Sequence, residues 1–409
     1  MSVQRLSLAE ARARISAALG EFSSRRRLAT VALDQASGRL LDQAVIAGLD
    51  LPGMDSSAMD GFALAISSLA GRPRLRLVGE SLAGHPFRGR VAAGEAVRIA
   101  TGALLPDGCD TVVVLERCAL EGQWLEIERG AEVRRGEHIR RRGEAVARGD
   151  QVLAAGTRLD FRHLGLLAAL GHDEVQVRDR VRVALFSSGD ELRAPGRALD
   201  PASGFDANRP LLAALLRRRG VELVGGGILA DDPGALARAF DSVAERVDLI
   251  VTTGGVSLGP KDHLRDALAA SAGLDFWRVA MKPGQAMAFG RWRGVALLAL
   301  PGNPLAALVG ALQLVLPALS LLEGGEAAPR RLHACLDSAV EGRRGRCDLL
   351  LGVCYVDAMA RCRVRPLARQ NSHMLGTLAG ANCLIELDEE RERAEPGEVV
   401  SIQPFGETP

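Results

Sequence analysis

The chain has almost no excess charge of either sign. Its 51 lysine and arginine residues are balanced by 50 aspartate and glutamate residues, which gives a formal net charge of +1 at pH 7. Proteins that bind nucleic acid or acidic membranes through general electrostatic attraction carry a clear basic excess, so this balance argues against both partners. Binding of a charged ligand must then depend on a local arrangement of residues.

Paired cysteine motifs are also absent. The seven cysteines are odd in number, and no two have the Cys-x-x-Cys spacing of common zinc sites. A disulfide framework is equally disfavoured, which indicates a reducing compartment. Residues 1–19 read as a charged amphipathic helix with a capping box between Ser7 and Glu10, not as an apolar signal core. We therefore expect a cytoplasmic protein.

The longest apolar region is not continuous. Residues 295–322 are divided by the sequence Pro-Gly-Asn-Pro at 301–304, which predicts a short strand followed by a helix. We expect a buried crossover there and not a membrane span. The composition, 47% hydrophobic and 25% charged over 409 residues, is that of a globular protein with two to four domains.

Changes in residue pattern divide the chain into four parts. Residues 1–46 and 146–178 form a helical piece, and residues 47–145 form a mostly β region inserted into it. Residues 179–325 are an α/β domain, and residues 326–409 are a small C-terminal β domain. The insertion could project outward from the helical piece.

The α/β region alternates strands with helices. Strands are predicted at 181–186, 221–228, 247–252, 287–289 and 295–300, with helices at about 210–219, at 233–246 and after 304. This order favours a parallel sheet with right-handed crossovers. Ligands bind such sheets at the carboxyl ends of the strands, so the turns after the strands are the candidate site.

The turn after the third strand is the most informative. Thr252, Thr253, Gly254 and Gly255 are small residues whose backbone N–H groups an anion can approach closely. Asp262 follows in the same loop and could hold a divalent cation. Phosphate-binding backbone beside a carboxylate indicates an enzyme that acts on a phosphorylated substrate.

Neighbouring turns carry carboxylates of their own. Asp190 and Glu191 follow the first strand, Asp206 and Asn208 precede a helix, and Asp231 precedes Pro233. Helix capping explains each turn taken alone. Capping explains all of them less well when the turns share one sheet edge, where a ligand site becomes the stronger interpretation.

Two cations lie in the same domain. Arg278 and Lys282 are four residues apart, and Lys282 precedes Pro-Gly at a strand end. Both solvation and an anion contact remain open for them. In the β insertion, residues 55–63 and Thr101-Gly102 are polar turns that could simply close hairpins. The three arginine runs are by default solvated surfaces, and the one at 140–142 is the strongest candidate of the three to face a ligand.

Taken together, several short sequences resemble the molybdopterin molybdenumtransferase family, whose fused eukaryotic relatives include gephyrin. They occur in the family's order and span about residues 5–405. The matching sequences are SAMDG at 57–61, RIATG at 98–102, RRRGE at 140–144, GDEL at 189–192, DANR at 206–209, TGGVS at 253–257, KPG at 282–284 and PGNP at 301–304.

The resemblance implies a cytoplasmic homodimer of four domains: a helical linker piece, an inserted mostly β domain, a parallel-sheet α/β pterin-binding domain and a C-terminal β barrel. It implies adenylylated molybdopterin and molybdate as substrates, Mg²⁺ as the divalent cation, and AMP as a released product. The implied protein partners are the adenylyltransferase that acts upstream and the molybdoenzymes that receive the cofactor.

The resemblance also implies roles for individual residues. Glu191, Asp231 and Asp262 would serve the cation and the nucleotide phosphate. Asp60 and Thr101 would complete the cleft of the partner subunit. Lys282, Arg346 and Ser372 would line the oxyanion pocket. The full substrate-binding set is Thr101, Asp206, Asn208, Thr253, Gly254, Gly255, Ser257, Arg278, Pro301, Gly302, Asn303, Pro304, Arg346 and Ser372.

Two short sequences depart from the family pattern. The family usually reads Lys-Pro-Gly-Lys-Pro where this chain has Gln285 and Ala286 after Gly284, and usually has serine where this chain has Ala306. The changes remove one cation and one hydroxyl from the implied oxyanion pocket. A paralogue that binds pterin and hands over cofactor without efficient insertion is therefore a second hypothesis. A scaffold role is a third, without a long linker or fused domain to support it.

Overall fold

The chain forms two units and passes between them twice. One unit contains Thr30–Val177, and the other contains Met1–Ala29 together with Arg178–Pro409. The structure is a computed structural model that describes residues 5–20, 27–70, 74–130, 132–256, 264, 267, 273–325, 331–368, 370 and 375–406. We refer to Thr30–Val177 as the inserted unit and to the other as the main unit.

The inserted unit is built on a six-stranded sheet. In spatial order its strands are Thr111–Val114, Gly61–Leu64, Glu95–Ile99, Arg74–Ser81, Trp124–Ile127 and Cys118–Glu121. Phe62 and Leu125 are buried on one face and Ile99 and Val112 on the other, so both faces carry apolar contacts. This agrees with the predicted mostly β region.

Shorter elements complete the inserted unit. Val45–Ile46 pairs with Gln151–Leu153, and Ser56–Ser57 pairs with Ile139–Arg140. The helix Phe161–Ala169 begins at Asp160, whose side chain caps it together with His163. Further short elements are the 3₁₀ turns Leu33–Gln35, Ile66–Leu69 and Leu115–Arg117, and the strands Leu28–Ala32 and Glu174–Arg178 lie where the chain passes between units.

The main unit contains a six-stranded α/β sheet. Its spatial order is Glu222–Leu229, Arg182–Ser188, Leu249–Thr253, Val295–Leu300, Ala288–Trp292 and Leu274–Phe276. The first four strands are parallel, as the alternation of strands and helices predicts.

The last two strands of this sheet are antiparallel, which the alternation pattern does not predict. The chain turns from Ala288–Trp292 into Val295–Leu300 through Arg293 and Gly294 alone, with φ of 48° and 87°. Two residues with positive φ form a tight hairpin and join antiparallel strands, whereas a parallel pair needs a long crossover. The Arg-Gly pair is the signal in the sequence.

Helices cover both faces of this sheet. They are Leu8–Gly20, Asn208–Arg218, Pro233–Asp241 and a continuous helix over Pro304–Gly310, Ala311–Val315 and Leu316–Glu323. The predicted capping box is present, because Ser7 N–H donates to Glu10 and Glu10 N–H donates to the Ser7 hydroxyl. The helix predicted at 233–246 ends earlier, at Asp241.

The helix over residues 304–323 is the core helix of the main unit. Among the described residues it is the one helix long and apolar enough to cross a membrane by length and composition, with a mean hydropathy of 2.2. Within its most apolar window 78% is buried inside the structure, where Ala307, Leu314 and Leu319 pack into the core. The division of residues 295–322 into a strand and a helix is confirmed.

The C-terminal strands close into a barrel. Cys347–Val356, Cys362–Pro366, Leu332–Leu336, Val399–Pro404 and Cys383–Leu387 pair in that order, and the first pairs again with the last. Met281–Lys282 adds to the edge of Cys347–Val356. The barrel implied by the family resemblance is therefore confirmed. Smaller elements nearby are Val340–Glu341, Arg393–Ala394 and the helix Leu375–Ala379.

Candidate functional site

The carboxyl ends of the central parallel strands are polar and buried. Ser187 and Ser188 end the strand Arg182–Ser188, and Thr252 and Thr253 end its neighbour; each of these four side chains is buried. Ser187 lies opposite Thr253 in the ladder. The hydroxyls of Ser187, Ser188 and Thr253 each have a hydrogen-bond partner in a turn that follows a strand of the sheet.

A chain of hydrogen bonds runs across these strand ends. The Asn208 side-chain nitrogen donates to Thr253 Oγ1 at 3.3 Å, Thr253 Oγ1 donates to Ser187 Oγ at 3.3 Å, and Ser187 Oγ donates to Asp206 Oδ1 at 3.0 Å. An ionised carboxylate only accepts, so Asp206 fixes the direction of every bond in the chain. We call these four residues the relay.

Asp206 is both a helix cap and the end of the relay. Its Oδ1 accepts from Arg209 N at 3.1 Å, in the first turn of the helix Asn208–Arg218, and its Oδ2 lies 3.4 Å from Arg209 Nε. The side chain is 1% exposed. One carboxylate therefore caps the helix and also ties it to the end of the neighbouring strand, while its role in binding a ligand stays a prediction.

The relay also holds the Pro-Gly-Asn-Pro turn. The Asn208 side-chain nitrogen donates to the Gly302 carbonyl at 2.7 Å. Pro304 begins the core helix, preceded by Asn303, whose side chain makes no capping hydrogen bond. Pro301 is buried at the end of its strand. The turns at 208, 253 and 302 thus form one connected edge, as the sequence predicts.

The glycine turn is tightly fitted to its neighbours. Gly254 and Gly255 have φ of 87° and 64°, and a Cβ on Gly254 would lie 2.3 Å from the Ser188 carbonyl oxygen. A Cβ on Gly302 would lie 3.5 Å from Gly254 Cα. The Gly254 N–H donates to the Leu300 carbonyl at 3.1 Å, so this donor is not available to an anion. An anion at this turn would have to use Gly255 and the residues after it.

Three carboxylates gather at the same edge. Asp231 Oδ1 accepts from Ser188 Oγ at 3.2 Å, and Asp190 Oδ1 accepts from Asp231 N at 3.1 Å. The Glu191 carboxylate lies over Gly189, with oxygens 2.7 Å from the position a Cβ would take. Asp232, by contrast, caps the next helix through Ala235 N at 2.7 Å. Capping therefore explains Asp232 and leaves Asp190, Glu191 and Asp231 for another use.

Part of the predicted site falls outside the described residues. Ser257, Asp262 and Ser372 lie there, so the third predicted cation ligand cannot be placed. Among the residues that the structure describes, no group of three histidine, cysteine or acidic side chains is arranged to hold a metal ion.

Strand pairing brings the segment of Lys282 next to the segment of Arg346. Met281 lies opposite Cys347 and Lys282 opposite Asp348 in a parallel ladder, which brings Lys282 beside the segment that carries Arg346. Arg346 Nε lies 3.0 Å from Asp348 Oδ2, and Asp348 is 2% exposed. Lys282 is exposed. A buried carboxylate thus orients one cation next to a second, exposed one, which suits recognition of an anion.

Arg278 is held differently from Lys282. Its carbonyl oxygen accepts from Leu6 N at 3.2 Å, and the residue is partly buried. No hydrogen bond or ion pair within the described part of the chain involves its side chain. The backbone position of Arg278 is therefore fixed by its contact with Leu6.

The two departures from the family pattern are neighbours in space. A Cβ on Gly284, which has φ of 102°, would lie 3.4 Å from the Ala306 carbonyl oxygen. Gln285 is exposed and Ala306 is buried. Both changes therefore belong to one small region, next to Lys282.

In the inserted unit, Asp60 and Thr101 form a close pair. Asp60 Oδ1 accepts from Thr101 N at 2.7 Å and from Thr101 Oγ1 at 3.0 Å. The backbone N–H of Thr101, and then its hydroxyl, hold the pKa of the Asp60 carboxyl below its usual value. Both residues are exposed. The pair is an ionised carboxylate on an open surface, which a ligand can reach.

The arginine run at 140–142 is engaged within the inserted unit. Arg141 Nη1 lies 2.5 Å from Asp55 Oδ2, and Arg142 Nε lies 2.6 Å from Asp50 Oδ2. These ion pairs fix the turn that carries them. Two of the three arginines that we expected to face a ligand therefore have carboxylate partners already.

Comparison with known proteins identifies the family to which the chain belongs. Residues 6–171 match a family model described as MoeA N-terminal region (domain I and II), residues 184–321 match a probable molybdopterin binding domain, and residues 334–405 match MoeA C-terminal region (domain IV). The molybdopterin molybdenumtransferase of Haemophilus influenzae is 34% identical, over 91% of this chain and 93% of that protein. The chain belongs to the molybdopterin molybdenumtransferase family.

Further relatives agree with this assignment. Molybdopterin molybdenumtransferase 2 of Mycobacterium tuberculosis is 35% identical, over 88% of this chain and 91% of that protein. A crystal structure of the molybdopterin biosynthesis moeA protein from Pyrococcus horikoshii superposes with a TM-score of 0.83 at 24% identity, over 98% of this chain and all of that one. At that identity the superposition establishes the fold.

Sequence reasoning missed two residues that contact the candidate site. Ser187 carries the relay to Asp206, and Ser188 contacts Asp231. The signal was present, because two serines ending an otherwise apolar strand are unusual at a buried position. Their partners lie 19 and 43 residues away in the chain, and only the folded sheet brings them within reach.

Proposed function

We propose that this chain inserts molybdenum from molybdate into adenylylated molybdopterin and releases AMP, as a step in molybdenum cofactor biosynthesis. One observation carries the proposal: Asp190, Glu191 and Asp231 gather at the sheet edge that also holds the Gly254-Gly255 turn. A nucleotide phosphate and a divalent cation require this combination of carboxylates and close backbone.

The oxygen donors of these carboxylates are of the kind that Mg²⁺ prefers, so we propose Mg²⁺ as the cation. Mg²⁺ is a hard ion that binds through one or two carboxylates together with phosphate oxygens and water. Glu191 and Asp231, with Asp262, are the residues that would hold it. When bound, the ion would neutralise negative charge on the departing phosphate.

The chain's own residues provide the rest of the site. The relay fixes the turns at Thr253 and Gly302, so these backbones need no reorganisation when the substrate binds. Lys282 and the oriented guanidinium of Arg346 would attract molybdate, a tetrahedral dianion. Cleavage of the phosphoanhydride at the carboxylate edge would release AMP.

Assembly and cellular context are part of the same proposal. The protein would act in the cytoplasm as a homodimer in which Asp60 and Thr101 complete the partner's cleft. Their exposure and hydrogen bonding leave an ionised carboxylate free to meet a ligand supplied from another subunit. The upstream adenylyltransferase and client molybdoenzymes are the expected protein partners.

An insertion assay tests the proposal. The purified chain is incubated with adenylylated molybdopterin, molybdate and Mg²⁺, and AMP is quantified by chromatography. We expect AMP release that depends on both molybdate and Mg²⁺ and that falls by at least about a hundredfold in Asp231→Asn. AMP release no faster than without enzyme would overturn the proposed activity.

The adjacent departures at Gln285 and Ala306 favour a second candidate function. Without the additional lysine and the serine hydroxyl of the usual family pattern, the pocket could bind pterin while holding molybdate poorly, as in a protein that carries and hands over cofactor. Loss of a charge-assisted contact costs about 1.5–3 kcal/mol, or roughly tenfold to a hundredfold in affinity. Calorimetry with molybdate distinguishes this candidate from the insertion activity. If the chain only carries cofactor, it should not bind molybdate, and Gln285→Lys with Ala306→Ser should restore that binding. Ordinary molybdate affinity of the unmodified chain would eliminate this candidate.

A further inference from the structure

An aromatic side chain is exposed beside the carboxylate edge. Only 3% of the chain is aromatic. Within the described part of the main unit, two large aromatic side chains are exposed, Phe205 and Tyr355. The Tyr355 hydroxyl donates to Asp337 Oδ2 at 2.8 Å, so this side chain has a polar partner. Phe205 is 48% exposed and has no polar group that would explain why it faces solvent.

The loop that carries Phe205 is fixed in place by hydrogen bonds. Gly204–Phe205 pairs in parallel with Leu192–Arg193. Gly204 N donates to the Glu191 carbonyl at 2.9 Å, and Asp206 N donates to the Arg193 carbonyl at 2.9 Å. The Arg193 guanidinium also donates to the Asp190 carbonyl and to Asp200 Oδ2, so it links the chain on both sides of this pairing. The phenyl ring is therefore presented on an ordered loop.

The strand pairing places Phe205 next to the carboxylates. Phe205 lies opposite Arg193 in the ladder, and in-register neighbours share a face. Asp206, the next residue, turns its side chain to the buried side, where it meets Ser187. Phe205 consequently lies on the opposite face, with Arg193, and it follows Gly204, whose N–H donates to the Glu191 carbonyl.

We propose that Phe205 is a stacking platform for the adenine ring of the adenylylated substrate and of AMP, and this inference rests on the proposed function. A flat apolar ring beside phosphate-handling carboxylates matches a nucleotide, whose planar base follows its phosphate. Base–aromatic stacking raises affinity by roughly tenfold to a hundredfold and tolerates small changes in position.

The charges of the surrounding residues indicate where the adenine and where the pterin of the substrate would lie. The nucleotide phosphate belongs with Asp190, Glu191 and Asp231 through a bridging cation. The metal-receiving end of the pterin belongs with Lys282 and Arg346, which a different pair of strands brings together. Phe205 pairs with the segment that follows Asp190 and Glu191 in the chain, so we assign adenine to it.

Binding of two probes tests the stacking directly. Dissociation constants are measured by calorimetry, with Mg²⁺ present, for AMP and for ribose 5-phosphate, which has the same phosphate and sugar but no base. In the unmodified chain AMP should bind at least about tenfold more tightly than ribose 5-phosphate. Phe205→Ala should remove this difference by weakening AMP alone. Phe205→Leu keeps apolar area without an aromatic face, and it should lose most of the preference for AMP over ribose 5-phosphate.

A matched control lies on the same loop. Leu199 is exposed to a similar extent, at 47%, so Leu199→Ala removes an exposed apolar side chain without removing an aromatic face. It should leave both constants unchanged. A role of Phe205 in holding the loop would weaken both probes equally, and equal weakening would overturn the inference.

A spectroscopic readout is independent of affinity ratios. In Phe205→Trp the new indole should be quenched by AMP and not by ribose 5-phosphate, relative to the three native tryptophans. Quenching by pterin and not by AMP would overturn the assignment to adenine. Failure of the proposed function is distinguishable, because it would abolish molybdate-dependent AMP release while the Phe205-dependent preference for AMP persisted.

Discussion

Asp206 in the main unit and Asp60 in the inserted unit have the same local chemistry and opposite surroundings. Each carboxylate oxygen Oδ1 accepts one backbone N–H and one hydroxyl, from Arg209 and Ser187 in the first case and from Thr101 in the second. Asp206 is 1% exposed, whereas Asp60 is exposed.

The difference in burial separates two kinds of functional residue. A buried carboxylate with fixed partners stabilises the fold and sets the positions of neighbouring groups, because leaving any partner unsatisfied is costly. An exposed carboxylate contributes little to stability and remains available to a ligand. The main unit therefore supplies a rigid edge, and the inserted unit supplies an accessible charge.

The largest effect is expected where the rigid edge is most tightly packed. In Gly254→Ala the new Cβ would lie 2.3 Å from the Ser188 carbonyl, at a φ of 87° that alanine disfavours. We expect a loss of about 3 kcal/mol or more in the free energy of unfolding, from collision and strain together. Urea denaturation measures it.

A second glycine isolates the collision from the strain. Gly220 has a similar φ of 75°, but nothing lies within 4 Å of its Cβ position. Gly220→Ala should cost only about 1 kcal/mol. Equal losses in the two variants would show that the close approach to Ser188 contributes nothing.

Removal of the buried carboxylate should have the next largest effect. Asp206→Ala leaves the Ser187 hydroxyl and the Arg209 N–H without their acceptor, and it removes the ion-pair partner of the Arg209 guanidinium. We expect a loss of about 3 kcal/mol. Asp206→Asn keeps one acceptor oxygen and should lose less. If Asp206→Ala is as stable as the unmodified chain, the relay is not a structural element.

The exposed carboxylate should show the reverse behaviour. In Asp60→Ala we expect the thermal midpoint to change by no more than about 2 °C, since exposed side chains contribute little to stability. AMP release in the insertion assay should nevertheless fall by roughly a hundredfold, if Asp60 meets substrate. A variant that loses stability and activity together would remove the contrast with Asp206.

The smallest effect concerns ionisation of Asp60. Its lowered pKa is due first to the Thr101 backbone N–H and then to the Thr101 hydroxyl. Thr101→Ala removes only the hydroxyl, so the pKa should rise but remain below the usual aspartate value. Titration by carbon-13 NMR measures both values. An unchanged pKa would mean that the hydroxyl does not contribute.

The sign of the pH effect on stability follows from the same shift. Because the folded-state pKa lies below the unfolded value, the contribution of Asp60 to stability is complete above the unfolded value. It is lost as the pH falls through the folded value. In Thr101→Ala the total loss should be smaller, and it should be complete at a higher pH.

Much of the fold could be predicted from the sequence. Alternating strands and helices predicted the four parallel strands, and Pro-Gly-Asn-Pro predicted the boundary between the last of them and the core helix. Parallel strands carry their carboxyl ends to one edge, so the turns at Asp190, Asp206 and Gly254 could be assigned to one site before any contact was known. Local propensity and periodicity are sufficient for such inferences.

Other features depended on partners far away in the chain. Whether Asp206 capped a helix or bound a neighbour could not be decided locally, because its second partner, Ser187, lies 19 residues earlier. The Gly254 N–H, predicted to be free for a phosphate, is used by Leu300. The antiparallel direction of Ala288–Trp292 rests on a two-residue turn that a search for helical crossovers overlooks.

The sequence alone determined the order of the elements, the family and the chemical character of each turn, because these depend on residues close together in the chain. Only the tertiary structure decided which polar groups satisfy one another and which remain for a ligand. Burial made Asp206 part of the fold and exposure left Asp60 available, although both accept the same two kinds of hydrogen bond. That distinction arises from the packing around each carboxylate, which no local pattern records.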